Sequence, residues 1–135
     1  MAESNGRIQH HPAPAGMAPG TGYSHAVVGA GRLVAIAGQV AMDDRGEMVG
    51  ADDPQAQAER VFENLRLALA AAGATFADVV KLGVFTTDIS ILPVVREIRD
   101  RYVDTGHPPA STAVQVVALF RPGYLIEVEA LAVVA

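Results

Sequence analysis

Residues 53–73 read DPQAQAERVFENLRLALAAAG and carry the clearest structural signal in the chain. Asp53 can cap a helix, and Pro54 suits the first helical position, where no backbone N–H donor is needed. Apolar residues then recur at helical spacing, with charged residues between them. Gly73 can end the helix in a left-handed conformation. The stretch therefore predicts an amphipathic helix over residues 54–72.

Apolar and β-branched runs on either side of this helix predict strands. Residues 23–28 and 33–39 are expected to form a hairpin around a tight turn at residues 29–31. Downstream, residues 79–87 predict a buried strand. Two further strands are expected over residues 112–119 and 125–134, separated by the Arg-Pro-Gly turn at positions 121–123.

A second, shorter helix is expected between the strand at residues 79–87 and the strand at residues 112–119. Ser90 can cap this helix, and Pro93 is tolerated in its first turn. Its side chains divide by polarity. The apolar stripe comprises Val95, Ile98 and Tyr102, and the polar side comprises Arg96, Glu97, Arg99, Asp100 and Arg101.

The resulting element order, β-β-α-β-α-β-β, predicts an α/β (α+β) domain in which two helices cover one face of a small sheet. Several strands are nevertheless apolar at consecutive positions, which indicates that both sheet faces are buried. Self-association is the simplest way to cover the second face. Residues 1–20 are rich in proline and glycine and predict a flexible N-terminal arm ahead of a domain over residues 21–135. His10 and His11 in this arm are expected to be solvated rather than metal-bound.

Composition excludes several classes of function. The chain has 135 residues, which suits one domain, and no cysteine, so it has no disulfide, thiolate nucleophile or Cys-ligated zinc. The net charge is −5, and Lys81 is the only lysine. No basic stripe for nucleic acid is visible. There is no membrane-length apolar stretch and no secretion signal, so we expect a cytoplasmic protein with a small-molecule or protein partner.

Seven short segments, taken in order, resemble one known family. They are GYSHA at 22–26, VAIAGQ at 34–39, residues 57–73 with their ENL core at 63–65, DVVK at 78–81, VFTTD at 84–88, PAST at 109–112 and IEVEA at 126–130. This ordered set is similar to the reactive-intermediate deaminase family, called Rid or YjgF. The resemblance implies a chorismate-mutase-like fold and a homotrimer with clefts between subunits. It also implies hydrolysis of reactive enamines and imines to a carbonyl compound and ammonia, without metal or cofactor.

Site residues follow from the same resemblance, with one departure. Deaminating members carry an arginine after the Pro-Ala pair that clamps the substrate carboxylate, and here that position is Ser111. A hydroxyl cannot neutralise a carboxylate. The glutamate that positions water and transfers protons corresponds to Glu127, and the pocket tyrosine corresponds to Tyr23. Gly38 and Ala113 correspond to residues whose backbone lines the cleft.

Arg96 occupies a position where many members have a cleft-facing asparagine. It is a candidate for the positive charge that Ser111 cannot supply, and the alternative is a solvated arginine paired with Asp100 at i+4. Lone histidines such as His25 and His107 are given no catalytic role.

Three functions remain open at this point. An imine or enamine hydrolase of altered substrate range is favoured by Tyr23 and Glu127. A trimer that binds a metabolite without turning it over is favoured by Ser111. Some family members have been described as ribonucleases, but the acidic charge and the lack of a histidine pair argue against that chemistry here.

Overall fold

The computed structural model describes residues 6–135, which form two β-sheets and two α-helices. In chain order the elements are β1 Ile8–His11, β2 Ala26–Gly29, β3 Arg32–Gln39, α1 Pro54–Ala71, β4 Val79–Thr86, α2 Leu92–Arg99, β5 Ala110–Gln115 and β6 Ile126–Val134. Single 3₁₀ turns precede β4 and α2.

The main sheet has the strand order β3-β6-β4-β5. β6 lies antiparallel to both β3 and β4, whereas β4 and β5 run parallel, so the sheet is mixed. The parallel pair is connected through α2, as a crossover connection requires. β1 and β2 form a separate antiparallel ribbon.

α1 forms as the sequence predicts. The Asp53 side chain accepts a hydrogen bond from the Ala56 backbone N–H at 3.1 Å, Pro54 stands in the first turn, and Gly73 has a φ of +76° just after the helix. The inward side of the helix buries Phe62 and Leu65 completely against the sheet. α2 packs beside α1, so both helices cover the same face of the sheet, as expected.

We call the side of the main sheet opposite the helices the open face. Because Ala35 pairs with Leu131 and Phe85 pairs with Glu127 across neighbouring strands, these side chains project together on that side. Leu131 is 40 % exposed and Leu33 is 68 % exposed in the single chain. The sheet therefore presents a largely apolar surface, as the continuous apolar strands predicted, with Glu127 and Glu129 toward one end and Lys81 beside Leu131.

The N-terminal region differs from the prediction. Regular structure does not begin near Tyr23, because Ile8–His11 already forms β1 and Ile8 is only 4 % exposed. The predicted hairpin between residues 23–28 and 33–39 is also wrong: β2 pairs with β1, and β3 pairs with β6. The Gly29 backbone packs against Val133, so the ribbon covers one end of the open face.

Three details around α2 and β5 also need correction. Ser90 does not cap α2, whose N-cap residue is Ile91 and which has no side-chain cap bond. Asp88 instead caps the 3₁₀ turn ahead of α2, because its carboxylate accepts bonds from the Ser90 N–H and hydroxyl at 2.9 and 2.7 Å. Arg99 is buried rather than on the polar side, since it follows Val95 by four residues and shares its inward face. β5 ends at Gln115 because β4, the strand with which it pairs, ends at Thr86. Among the described residues, no helix is long and apolar enough to cross a membrane.

Candidate functional site

A cleft of about 680 Å³ opens between α2, β5 and the segment before β2. We call it the helix-side cleft. Its volume suits a small metabolite. It brings together four of the residues predicted from the sequence, Tyr23, Arg96, Ser111 and Ala113, and adds the buried Arg99. The lining charges are two basic and two acidic residues, since Glu97 and Asp100 also face this space.

Ser111 and Ala113 reach the helix-side cleft because of the register of β5. Ala113 pairs with Val84, whose side chain belongs to the core beneath the helices, and Ser111 lies two residues earlier on the same side. Thr112, between them, points to the other face, where its hydroxyl accepts a hydrogen bond from Lys81 Nζ at 2.8 Å. Ser111 therefore lines the same cleft as Tyr23.

Tyr23 is held at the cleft by its neighbour Ser24, whose importance the sequence did not reveal. The Ser24 hydroxyl is buried and donates to the Pro108 carbonyl at 2.6 Å, and the Ser24 N–H donates to the Pro109 carbonyl at 3.1 Å. These bonds fasten the tyrosine-bearing segment to the start of β5. The Tyr23 ring also packs edge-on against His25, with centroids 5.2 Å apart.

Arg96 lies in the cleft and does not form the alternative ion pair with Asp100. Its guanidinium donates through Nη2 to the Thr21 carbonyl, and it fills the space beside Gly22, where a Cβ would collide with it. Gly22 has a φ of +79°, which also favours glycine. Asp100 is paired instead with Arg99. Arg96 thus holds the turn that leads into Tyr23.

Glu127 and Gly38 lie on the open face, away from the helix-side cleft. Glu127 borders a recess of about 470 Å³ that Phe85, Val116 and Phe120 also line, which we call the open-face recess. A Cβ on Gly38 would stand 2.7 Å from Glu127 Cδ and 3.0 Å from Cγ. The absence of a side chain at Gly38 therefore makes the room that the Glu127 carboxylate occupies.

The sheet separates these two groups of residues within one chain. Glu127 pairs with Phe85, whereas its strand neighbour Val128 pairs with Val84 in the core. Because successive strand residues face opposite sides, the Glu127 carboxylate and the Ser111 hydroxyl project from opposite faces of the sheet. A single protomer therefore does not bring all the predicted site residues together.

A buried amide fixes the loop that leads into β6. Gln57 is fully buried, and its Nε2 donates to the carbonyls of Gly123 at 2.8 Å and Gly50 at 3.2 Å. Its Oε1 accepts from the Leu125 N–H at 2.8 Å. This one side chain satisfies two backbone groups just ahead of Glu127 and one in the loop before α1, and the helix pattern gave no sign of that role.

Two of the histidines, His10 of β1 and His107 just ahead of β5, lie against each other. The rings of His10 and His107 lie 5.6 Å apart, and His107 Nδ1 is 3.1 Å from an oxygen of Asp104. Burial, and then the neighbouring His107, lower the pKa of His10 below its usual value of 6.5. Within residues 6–135, no three His, Asp or Glu side chains are grouped closely enough to hold a metal ion.

Comparisons with known proteins agree with this architecture. The family model described as Endoribonuclease L-PSP matches residues 13–134. The chain is 42 % identical over 127 residues to the protein DfrA of Myxococcus xanthus, covering 93 % of each.

Two solved structures show the same fold. YyfB of Yersinia pestis, described as a Rid-family protein of unknown function, has 38 % identity and a TM-score of 0.84, with 95 % of this chain and 99 % of that one covered. RidA from the Antarctic bacterium Psychrobacter sp. PAMC 21119 has 37 % identity and a TM-score of 0.70, with 95 % and 98 % covered.

Proposed function

The chain belongs to the Rid (YjgF) family, and from that premise we propose that it hydrolyses a small reactive imine or enamine in a cleft between two subunits of a homotrimer. The observation that carries this proposal is that the sheet separates the candidate site residues of one chain, so a complete site would need a second subunit. Tyr23 and Ser111 face the helix-side cleft, and Glu127 faces the other way.

A closed ring of protomers offers a way to join these two halves. In a head-to-tail interface, one surface of each subunit meets a different surface of the next, and the ring closes when the rotation allows it. The open face of one protomer would then lie against the β5 edge of its neighbour. Such packing would cover Leu33 and Leu131 and bring Glu127 to the Ser111 and Tyr23 of the adjacent chain.

The chemistry of imine hydrolysis suits the groups in this combined site. Water adds to the carbon of the protonated imine while the Glu127 carboxylate accepts a proton from that water, which gives a neutral carbinolamine. Glu127 then donates this proton to the nitrogen. As the C–N bond breaks, the carbinolamine hydroxyl returns a proton to Glu127, a carbonyl compound and ammonia leave, and the protonated Glu127 can protonate the next imine. An enamine enters this sequence after its carbon has been protonated. Tyr23 would pack over the substrate and, with the apolar wall, limit the entry of water.

A trimer that binds a metabolite without hydrolysing it is the second candidate. It is favoured by Ser111, which supplies a hydroxyl where the family's deaminating members have an arginine. The description of the matching family model as an endoribonuclease adds a third activity to be assayed, although a chain of net charge −5 has little electrostatic attraction for RNA.

The test generates imines in solution with amino-acid and amine oxidases and follows their decay by competition with semicarbazide. Wild type should accelerate hydrolysis. Glu127→Gln should lower the rate of imine hydrolysis at least about 100-fold, the usual effect of removing a general acid–base group. Glu129→Gln, two residues along the same strand, is the matched control and should retain activity. No acceleration by wild type, on carboxylated or neutral imines, would leave the binding trimer as the function.

A further inference from the structure

Arg99 is the one arginine that the described part of the chain buries in the helix-side cleft. It is 7 % exposed at the C-terminal end of α2 and lines the same space as Ser111 and Tyr23. Burying a charged side chain is costly unless the charge is paired and its N–H groups are bonded. The hydrogen-bond partners of this guanidinium therefore bear on its functional role.

Within residues 6–135, the hydrogen bonds of the Arg99 guanidinium all go to one oxygen. Nε and Nη2 donate to Asp100 Oδ1 at 3.0 and 2.7 Å. A guanidinium has five N–H donors on two bidentate edges. The edge formed by Nε and Nη2 is occupied by Asp100, and the edge that includes Nη1 makes no bond to a described residue. That second edge matches the two oxygens of a carboxylate.

Arg96 is less suited to this role, although it lies in the same cleft. It is exposed, and its Nη2 is already bound to the Thr21 carbonyl. Exposed charge pairs are weak because water screens them, whereas a buried guanidinium acts in a medium of lower dielectric constant. The cleft's two basic and two acidic residues cancel in formal charge, so recognition of an anion depends on bidentate geometry more than on the overall field.

We propose that Arg99 binds the carboxylate of the ligand, so that a helix residue supplies the anion-binding group that the strand position Ser111 lacks. This inference rests on the proposed function for the identity of the cleft. Asp100 orients the guanidinium, and the Ser111 hydroxyl is available as an additional hydrogen-bond donor. The ligand class is therefore a small 2-imino or 2-oxo acid, recognised from the helix side of the cleft.

The experiment measures binding by titration calorimetry with 2-oxobutanoate and with its neutral amide of similar shape. Wild type should prefer the carboxylate. Arg99→Gln should reduce carboxylate affinity by about 10- to 100-fold, the range expected for hydrogen bonds to a charged group, and leave amide affinity unchanged. Arg101→Gln removes an exposed arginine that pairs with Glu59 outside the cleft, and it is the matched control.

A second variant keeps the test valid if Arg99→Gln fails to fold. Arg99→Gln/Asp100→Asn removes both charges of the pair together, so that no lone buried charge remains. Its carboxylate preference should also be lost. A preference that survives in this variant, or that is abolished by Arg96→Gln and kept in Arg99→Gln, overturns the proposal, as does equal binding of both ligands to wild type.

Binding and hydrolysis can fail separately. Glu127-dependent hydrolysis without any preference for the carboxylate ligand would support the proposed hydrolase function and overturn the proposed role of Arg99. Arg99-dependent carboxylate binding without hydrolysis would support Arg99 and contradict the hydrolase.

Discussion

Gly38 and Glu127 face each other across β3 and β6, and the space that a side chain at Gly38 would occupy is filled by the Glu127 carboxylate. The Glu127 carboxylate can occupy this position only because Gly38 has no side chain. This relationship links a small residue in one strand to the proton-transferring group proposed for the next strand.

Substitution of this glycine should displace the glutamate. In Gly38→Ala, the new methyl group would stand within 3.0 Å of Glu127 Cδ and Cγ, so the carboxylate must move. A shift of about 1 Å can cost about 100-fold in rate. We expect a loss of that order in the semicarbazide assay, with the thermal stability reduced much less. Gly83→Ala, which crowds the neighbouring Glu129 in the same way, is the control and should stay active.

The apolar open face should be required for oligomerisation. Leu131→Glu places a charge at the middle of that face, next to Ala35 of β3, and should convert the proposed trimer to monomers in sedimentation-velocity experiments. Leu67 is comparably exposed, at 47 %, but lies on α1. Leu67→Glu should therefore leave the oligomer intact. A trimeric Leu131→Glu protein would show that the open face is not the interface.

The Gln57 amide should contribute strongly to stability. Gln57→Leu keeps the helix but leaves the carbonyls of Gly50 and Gly123 and the N–H of Leu125 without their partner. Unsatisfied buried groups cost about 1–3 kcal/mol each, so we expect a loss of about 3 kcal/mol in the free energy of unfolding measured with urea. The exposed Gln55→Leu should change it by less than about 0.5 kcal/mol.

Acidification should destabilise the fold through His10. Because the pKa of His10 is lowered by burial and by His107, the folded protein prefers the neutral ring. The resulting stability is complete above pH 6.5 and is lost as the pH falls through the lower pKa of the folded state. The neighbours of the ring are His11, His107 and Asp104, and the attraction of Asp104 opposes the lowering without cancelling it.

The urea midpoint at pH 7.5 and pH 5.5 tests this effect. The Asp104 carboxyl stays ionised throughout that window, because hydrogen bonds from Gly106 and His107 lower its pKa from 3.8. His10→Asn should therefore show a smaller decrease between the two pH values than wild type. His11→Asn removes only the last of the contributions that lower the His10 pKa and should retain most of the wild-type decrease. An equal decrease in the His10 variant would assign the pH dependence to another group.

Local signals allowed much of this fold to be predicted. The limits of α1 follow from Asp53, Pro54 and Gly73, which act within one turn of the helix ends. β1 escaped prediction because its partner β2 lies some fifteen residues away in a region rich in proline and glycine. The expected hairpin failed for a related reason, since β3 finds its partner in β6, about 100 residues later. Pairing over such distances leaves no short-range pattern.

Candidate site residues could be proposed from the sequence, but the face of the sheet that each one occupies could not. The strand alternation of Ser111 and Glu127 is visible in the sequence, but only the register of β4 with β5 and β6 shows that they face opposite sides. Arg99 could have been found from its i+4 spacing to Val95. Its charge favoured the polar side in the sequence pattern, and its burial depends on the packing of α2 against α1.

The assembly of a site from two protomers is tested most directly by mixing two inactive variants. Glu127→Gln damages the open-face half, and Ser111→Trp fills the helix-side cleft; each protein alone should be trimeric and inactive. Trimers assembled from equal amounts of both contain clefts that combine one intact half from each chain. With random assembly, about one quarter of the clefts are intact, so activity should return to about a quarter of the wild-type value. Mixed trimers that remain inactive, with their composition confirmed by native mass spectrometry, would contradict a site shared between subunits.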